Sequence, residues 1–365
     1  MPQLEQKGRG VSNHCSRTED QTHQLLPLRL SALAPSSPPK VSTPEKITME
    51  NQSSAVHFFL VGFTISVELQ LFLFVVFLAI YLLTLTANVA IICLVRIDTR
   101  LHTPMYFLLS QLSFLEIWYT SSIAPKLLTN LVGWKYISFP GCLSQMYFYF
   151  SLGSTEFFLL GVMAFDRYLA ICNPLRYPSI MNGQVCIQAT ITCWSVAFIS
   201  VFFLVLLISR LTFCKPTVIN HFFCDIPPLL KLSCQDTFLE EIVVFFFACG
   251  IILTSLVLTV VSYVLIVSSI VKIPSTKGRQ KAFSTCASHF TVVIILYGTV
   301  IFIYVRPSLS YPMDVNKVLG VFNTVVTPLL NPIIYCLRNK DVKKALKKVM
   351  NPKLPERYRT SFIAR

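Results

Sequence analysis

Charge is what this sequence has least of. Only 13% of its 365 residues are Asp, Glu, Lys or Arg, against about 25% in a typical soluble domain. The deficit comes in blocks. Residues 71–95, 187–209, 242–271 and 318–337 contain none of the four, and 282–305 contains none either, though it holds His289. Residues 103–125 carry only Glu116, and 136–165 only Glu156. Each block is near or above the roughly 20 residues that cross a bilayer as a helix, which excludes an ordinary soluble fold. An internal repeat is also missing, and with it the paired broken helices expected of many transporters. No nucleophile with its base, no metal-ligand set and no phosphate-binding loop accompanies the buried acids, so nothing supports an enzyme or a cofactor. The net charge of +14 is spread over tails and loops, and no folded basic domain supports a nucleic-acid partner.

What is present predicts an all-α membrane protein, a bundle of seven transmembrane helices. An odd number of spans puts the termini on opposite sides, and the positive-inside rule sets which. Arg96 and Arg100 follow span 1, and Arg167 and Arg176 follow span 3. Lys272, Lys277, Arg279 and Lys281 follow span 5, and Arg338, Lys340, Lys343, Lys344, Lys347 and Lys348 follow span 7. The alternate loops carry Lys135, Arg306 and Lys317. The N-terminus is expected outside and the basic face inside, where it suits anionic lipid headgroups and an intracellular partner.

Three regions follow. Residues 1–69 form an outer tail, of which 1–48 is polar, rich in Ser, Pro and Gln, and expected to be disordered. Met49 reads as a second start, and Asn51-Gln52-Ser53 is a glycosylation sequon on the outer side. Residues 70–338 hold the spans. Residues 339–365 form an inner tail whose RNKDVKKALKKVM pattern predicts a short amphipathic helix on the membrane surface.

Polar residues inside the spans stand out because lipid gives them no partner. Asn88 in span 1, Glu116 in span 2, Glu156 in span 3 and Asn331 in span 7 fall at similar depth. Two ionised carboxylates there would repel, so one holds a proton or a cation such as sodium lies between Glu116 and Glu156. The plainer alternative is a hydrogen-bonded knot that fixes packing. Asp166 and Arg167 close span 3 about 15 Å along the helix from Glu156. They either snorkel to water as a helix end or act as a latch in which Arg167 exchanges partners. Asn331-Pro332 frees a backbone carbonyl and makes a hinge. Thr103-Pro104 suits the first turn of span 2. The loop 210–239 contains Cys214, Cys224 and Cys234, which with Cys142 make an even set on the oxidising face, and three pairings are open. His221 and Cys224-Asp225 have the outline of a metal site, weakened by a cysteine expected in a disulfide.

Five motifs occur in order: Pro104-Met105-Tyr106-Phe107, MAFDRYLAICNPLRY closing span 3, Ser262-Tyr263 in span 5, KAFSTCASHF opening span 6, and NPIIYCLRNKDVKKAL at the end. Over about residues 49–350 the chain resembles the rhodopsin-like G-protein-coupled receptors, and among them the odorant receptors of the larger, terrestrial-type class. The resemblance implies bridges Cys142–Cys224 and Cys214–Cys234, the first pinning the long loop over a pocket. It implies that Asp166, Arg167 and Tyr168 form the activation latch and G-protein contact. Tyr263, Asn331, Pro332 and Tyr335 would be its rearranging partners, and Asn88, Glu116 and Glu156 a polar core with Asn331.

The resemblance further implies a ligand pocket in the outer half of the bundle. Its expected lining is Tyr149, Phe150, Gly153, Ser154 and Phe157 on span 3, Phe247 and Ile251 on span 5, Tyr297, Ile301 and Tyr304 on span 6, and Thr324 on span 7. The implied partners are a small volatile, mostly apolar ligand, a stimulatory olfactory-type heterotrimeric G protein that raises cyclic AMP, membrane lipid, and accessory trafficking proteins. The implied location is the plasma membrane of sensory-neuron cilia. A receptor for a non-odorant metabolite is the alternative, with a channel or transporter behind it. The chain departs from the family pattern with Glu116 where Asp is common, Ala87 where Gly is usual, and Phe165 where Tyr is usual.

Overall fold

The computed structural model describes residues 57–213, 217–304, 313–338 and 340–350, without the side chains of 281–288, 302–304, 313–316, 335–338, 340–341 and 348–350. The tail 1–48, Asn51, Cys214 and the side chains of Tyr304 and Tyr335 therefore lie outside the described residues.

The charge-free run 71–95 lies within α1 (Val67–Ile97). Ser66 caps it, with Glu68 in the first turn and Arg96 in the last, the ends where the helix dipole favours each sign. A 3-10 turn, Thr99–Leu101, leads into α2 (Pro104–Leu131), which starts on its proline as expected. Next come α3 (Phe139–Cys172), a single turn α4 (Tyr177–Ile180) and α5 (Gly183–Ser209). The side chains of Ser138 and Asn182 cap α3 and α5, accepting from Gly141 N at 3.2 Å and Val185 N at 2.9 Å. A short α6 (Ile226–Leu230) lies in the long loop before α7 (Phe238–Val271). After α8 (Thr276–Tyr304), the final span is built from α9 (Met313–Val321), a π-helical turn Phe322–Val326, and α10 (Thr327–Arg338).

Among the described residues, five segments are long and apolar enough to cross a membrane: Val67–Ile97, Phe139–Cys172, Gly183–Ser209, Phe238–Val271 and Lys317–Ile334. The helices α2 and α8 are of similar length, 28 and 29 residues, but more polar. The chain is thus mostly helical. The closing helix α11 (Lys340–Met350) buries Val342 and Ala345 and exposes Lys343, Lys344 and Lys347.

Of these five segments α3 is the most enclosed, with α2, α5 and α7 packed around it. Its Leu159 and Leu160 meet Leu108, Leu112 and Leu115 of α2 in the main core. Gly161 lets α3 approach α7 closely, since a Cβ there would sit 3.3 Å from Leu258 Cδ2. The outward faces of α1, α5 and α7 leave Phe72, Val75, Phe202, Phe203, Phe246 and Val257 exposed, which suits lipid and not water.

A feature absent from the sequence reading is a sheet at one end of the bundle. Strands β1 (His57–Leu60), β2 (Tyr136–Ser138) and β3 (Val218–Ile219) run in the order β2-β1-β3. In it β1 is antiparallel to β2, with Phe58 opposite Ile137, and parallel to β3, with Phe59 opposite Val218. Phe58 and Leu60 are fully buried against Met146, Ile208 and Ile219.

At the opposite end, α3 outruns its apolar block and continues to Cys172. Nothing breaks the helix before Asn173, whose position ahead of Pro174 disfavours the α conformation. Asp166 and Arg167 are therefore inside the helix and buried, not snorkelled to water.

Candidate functional site

Near the sheet end, α3 and α7 part enough to leave a cavity of about 90 Å³. Tyr149, Phe150, Gly153, Ser154 and Phe157 of α3 line it, with Phe247 and Ile251 of α7. Three of the other expected residues lie elsewhere. Tyr297 stands behind the wall, its ring 5.1 Å from that of Phe157. Ile301 is exposed. Thr324 borders a smaller cavity toward α1, with Thr84 and Thr120. On the main cavity the final span presents Asn323 instead, beside Tyr119 of α2.

Asn323 and Thr324 both lie within the π turn Phe322–Val326. The π turn inserts one residue into the helix, so every side chain after it is rotated by about 100° from a regular count. Thr327 Oγ1 accordingly bonds the carbonyl of Phe322, five residues back, at 3.2 Å. Sequence periodicity alone does not reveal that insertion.

The lid over the cavity is held on three sides. Cys142 at the start of α3 is bonded to Cys224, with Cα atoms 5.5 Å apart. Next to it, Gln145 Oε1 accepts from Cys224 N at 3.1 Å while its Nε2 donates to the Ser122 carbonyl of α2 at 3.1 Å. Ile226 and Pro227 then reach the cavity wall. The strand β1 forms the third side. Phe59 N and Val61 N donate to the carbonyls of Thr217 and Ile219, and Gly62 N to that of His221. Asn130 Nδ2 of α2 donates to the Leu60 carbonyl at 2.9 Å. Cys234 is also disulfide-bonded; the other cysteine expected there, Cys214, lies outside the described residues. Among the described cysteines Cys93, Cys172, Cys186, Cys193 and Cys249 are free.

Two titratable groups are sealed in this loop. His221 packs between Phe222 and Phe223, with ring centroids 4.6 and 4.4 Å away. Burial, with the nearby Lys317 cation, pushes its pKa down to about 3. Asp225 caps α6 by accepting from Ile226 N at 2.9 Å. Burial pushes its carboxyl up to about 7, partly offset by that bond. Cys224 is spent in the disulfide, and no group of three or more His, Cys, Asp or Glu gathers for a metal among the described residues.

Deeper in the bundle, Asn331 Nδ2 donates to Glu116 Oε1 and lies 3.5 Å from Glu156 Oε1. These three expected core residues come together. Asn88 is buried but bonds its own helix, donating to the Thr84 carbonyl at 3.0 Å.

At the far end, Arg167 Nη2 lies 3.4 Å from Asp166 Oδ2, a charge contact outside hydrogen-bond geometry. The firmer bond to Asp166 comes from Tyr177 of α4, whose hydroxyl donates to Oδ1 at 2.8 Å. Tyr263 of α7 is bonded through its hydroxyl to His289 Nδ1 of α8 at 2.6 Å, and the rings stack. Tyr177 and His289 were given no role by sequence reasoning. For His289 a signal existed, as the one imidazole in an otherwise uncharged span.

The arrangement is that of a multi-pass helical membrane protein with a lidded apolar cavity at one end and a buried acid–base pair at the other. Residues 77–353 match the family described as olfactory receptor, and the chain belongs to that family. It is similar to human olfactory receptor 11L1, 50% identical over 313 residues covering 86% of this chain and 97% of that one. It is 52% identical to human olfactory receptor 6F1 over 299 residues, 82% of this chain and 97% of that one. Rat olfactory receptor 287 is 50% identical over 307 residues, 84% and 99% of the two chains.

Proposed function

We propose that this protein is an odorant receptor with seven spans and its N-terminus outside, taking small, mostly apolar volatile molecules. The observation that carries the reading is the cavity, walled by Phe150, Phe157, Phe247 and Ile251 and roofed by a disulfide-tethered loop. Its volume of about 90 Å³ is below the roughly 150 Å³ that admits benzene. The ligand is therefore small, or the walls part to receive it.

The helix α3 joins this cavity to the far end. Phe157 and Arg167 are about 15 Å apart along it. A ligand that contacts α3 and α7 better in one packing shifts the population toward that packing. In the active packing Arg167 leaves Asp166, and Tyr263 and Tyr335 rearrange about the Asn331-Pro332 hinge. The opened inner face, with Tyr168, engages a stimulatory G protein and raises cyclic AMP. Glu116 and Glu156 share a proton or hold a monovalent cation; Glu116 Oε2, buried without a partner among the described residues, is the atom that would take either. Glycosylation at Asn51, a plasma-membrane location in sensory cilia, and an inner-surface role for α11 complete the reading.

The test is cyclic-AMP accumulation in cells expressing the full chain, screened against a broad panel of volatiles beside Arg167→Ala. A ligand-dependent rise, lost in the variant at equal surface expression, supports the reading. Silence at verified surface expression moves the assignment to a metabolite receptor.

A further inference from the structure

We infer that the cavity selects ligands carrying a hydroxyl donor, which the carbonyl oxygen of Asn323 receives. The inference rests on the odorant-receptor reading and narrows it to a chemical class.

Asn323 stands on the cavity wall and is 4% exposed. Its amide nitrogen is committed, donating to the Tyr119 hydroxyl at 3.3 Å. Among the described residues its carbonyl oxygen has no partner, and it comes within a ligand's reach only as the cavity wall parts. A buried acceptor left unpaired is costly, more so where no water competes to satisfy it. The turn that holds Asn323 offers no donor of its own. Thr324 Oγ1 donates to the Gly320 carbonyl at 2.8 Å, and Thr327 Oγ1 to that of Phe322 at 3.2 Å. The π turn that holds Asn323 is a second sign, since such wide turns inside helices occur frequently at functional sites.

The rest of the wall fixes what the hydroxyl is attached to. Phe150, Phe157, Phe247, Ile251 and Ile252 accept a short alkyl chain or small ring. Ser154 also reaches the cavity, but its hydroxyl rotates to serve either a donor or an acceptor and does not discriminate. Asn323 Oδ1 does, because an alcohol donates to it while an aldehyde, ketone or ether presents lone pair against lone pair. A site built to pair a substrate hydroxyl rejects the analogue that lacks it.

The experiment uses the full chain and cyclic-AMP dose–response curves for matched sets of one carbon skeleton: alcohol, aldehyde and methyl ether. The alcohol should be more potent than its aldehyde or ether by about tenfold. Asn323→Leu should bring that ratio close to one. Tyr119→Phe approaches the same bond from the other side. It frees the Asn323 amide nitrogen, so the aldehyde gains and the ratio narrows, whether or not Asn323→Leu reaches the surface. Ratios within one variant are independent of expression level. Aldehydes equal to or better than alcohols in the parent overturn the inference and leave the receptor reading intact. An unchanged ratio in Tyr119→Phe, or in surface-displayed Asn323→Leu, overturns it as well. Silence to every volatile at verified surface expression overturns the odorant reading and this inference together.

Discussion

Replacing Gly62 by alanine tests how firmly the central strand β1 is fastened. Gly62 has φ of 67°, a left-handed conformation that costs a residue with a Cβ about 1–2 kcal/mol. The new Cβ would also fall inside the van der Waals shell of Asn130 Oδ1 and 2.9 Å from its Cγ. Asn130 is buried and bonded to the Leu60 carbonyl at 2.9 Å. It can withdraw only by giving up a hydrogen bond of about 1 kcal/mol. A loss of about 2–3 kcal/mol in all follows, a fall of about 3–5 °C in melting temperature by the scaling of soluble domains to roughly 300 ordered residues. The assay is thermal unfolding of purified receptor in detergent. Gly133 is an internal control, because its φ is 97° but a Cβ there meets nothing within 4 Å. Gly133→Ala should lose the backbone part alone. The double variant Gly62→Ala, Asn130→Ala should lose less than the sum of its singles, as neighbours in contact do. Equal losses at the two glycines, or strict additivity with Asn130, would refute the clash.

Cys142→Ser and Cys224→Ser should each remove about 4–5 kcal/mol by the chain-entropy relation for a bridge spanning 82 residues, seen as lost surface display on cells. Gly153→Ala should fold at least as well as the parent, because its Cβ would meet only Tyr119 Cε2 at 3.7 Å and alanine is the better helix former. It should shorten the longest active ligand by about one carbon, at roughly 1–3 kcal/mol per methylene, which dose–response curves over a homologous series will measure. The loop's two titrating groups give opposite pH signatures. Asp225 titrates near 7 in the fold and near 3.9 when unfolded, so the native state binds more protons between those values and loses stability as pH rises through them. His221 titrates near 3 in the fold and near 6.5 unfolded, so its contribution is lost as pH falls through 6.5. Between pH 5 and about 6.5 the two slopes oppose each other. Asp225→Asn, which keeps the capping oxygen, should leave melting temperatures rising with pH over that range, and His221→Gln should leave them falling.

The parts of the fold readable from sequence were those dictated by solvent. Lipid tolerates neither charge nor unpaired backbone, so the blocks without Asp, Glu, Lys or Arg outlined helices, and Thr103-Pro104 marked where α2 begins. The same cost made Glu116, Glu156 and Asn331 stand out, and the structure brings them together. Seven of the expected cavity residues also fall on one wall, because α3 and α7 are regular there and a 3.6-residue count holds. What could not be read depends on contacts distant in sequence. Strand β1 is four residues long and acquires strand character only from partners in two other loops. The π turn leaves no trace in composition, and neither does the choice of Asn323 over Thr324 at the main cavity. His289 and Tyr177 became informative only once Tyr263 and Asp166 were seen beside them.

Strand β1 lies in the middle of its sheet, yet it is made first. Its partner β2 follows some tens of residues later, and Thr217, whose hydroxyl donates to the His57 carbonyl, stands 160 residues downstream. At about 5–20 residues per second, synthesis alone separates the two by roughly ten to thirty seconds. Four long helices, α1, α2, α3 and α5, are made before the sheet can close. Until then Phe58 and Leu60 have no burial site. Closure of this cap is therefore among the last steps of assembly, and a chain stalled short of it displays two large apolar side chains and a free strand edge. Those are the features by which an unfinished receptor can be told from a finished one before it leaves the compartment where it was made.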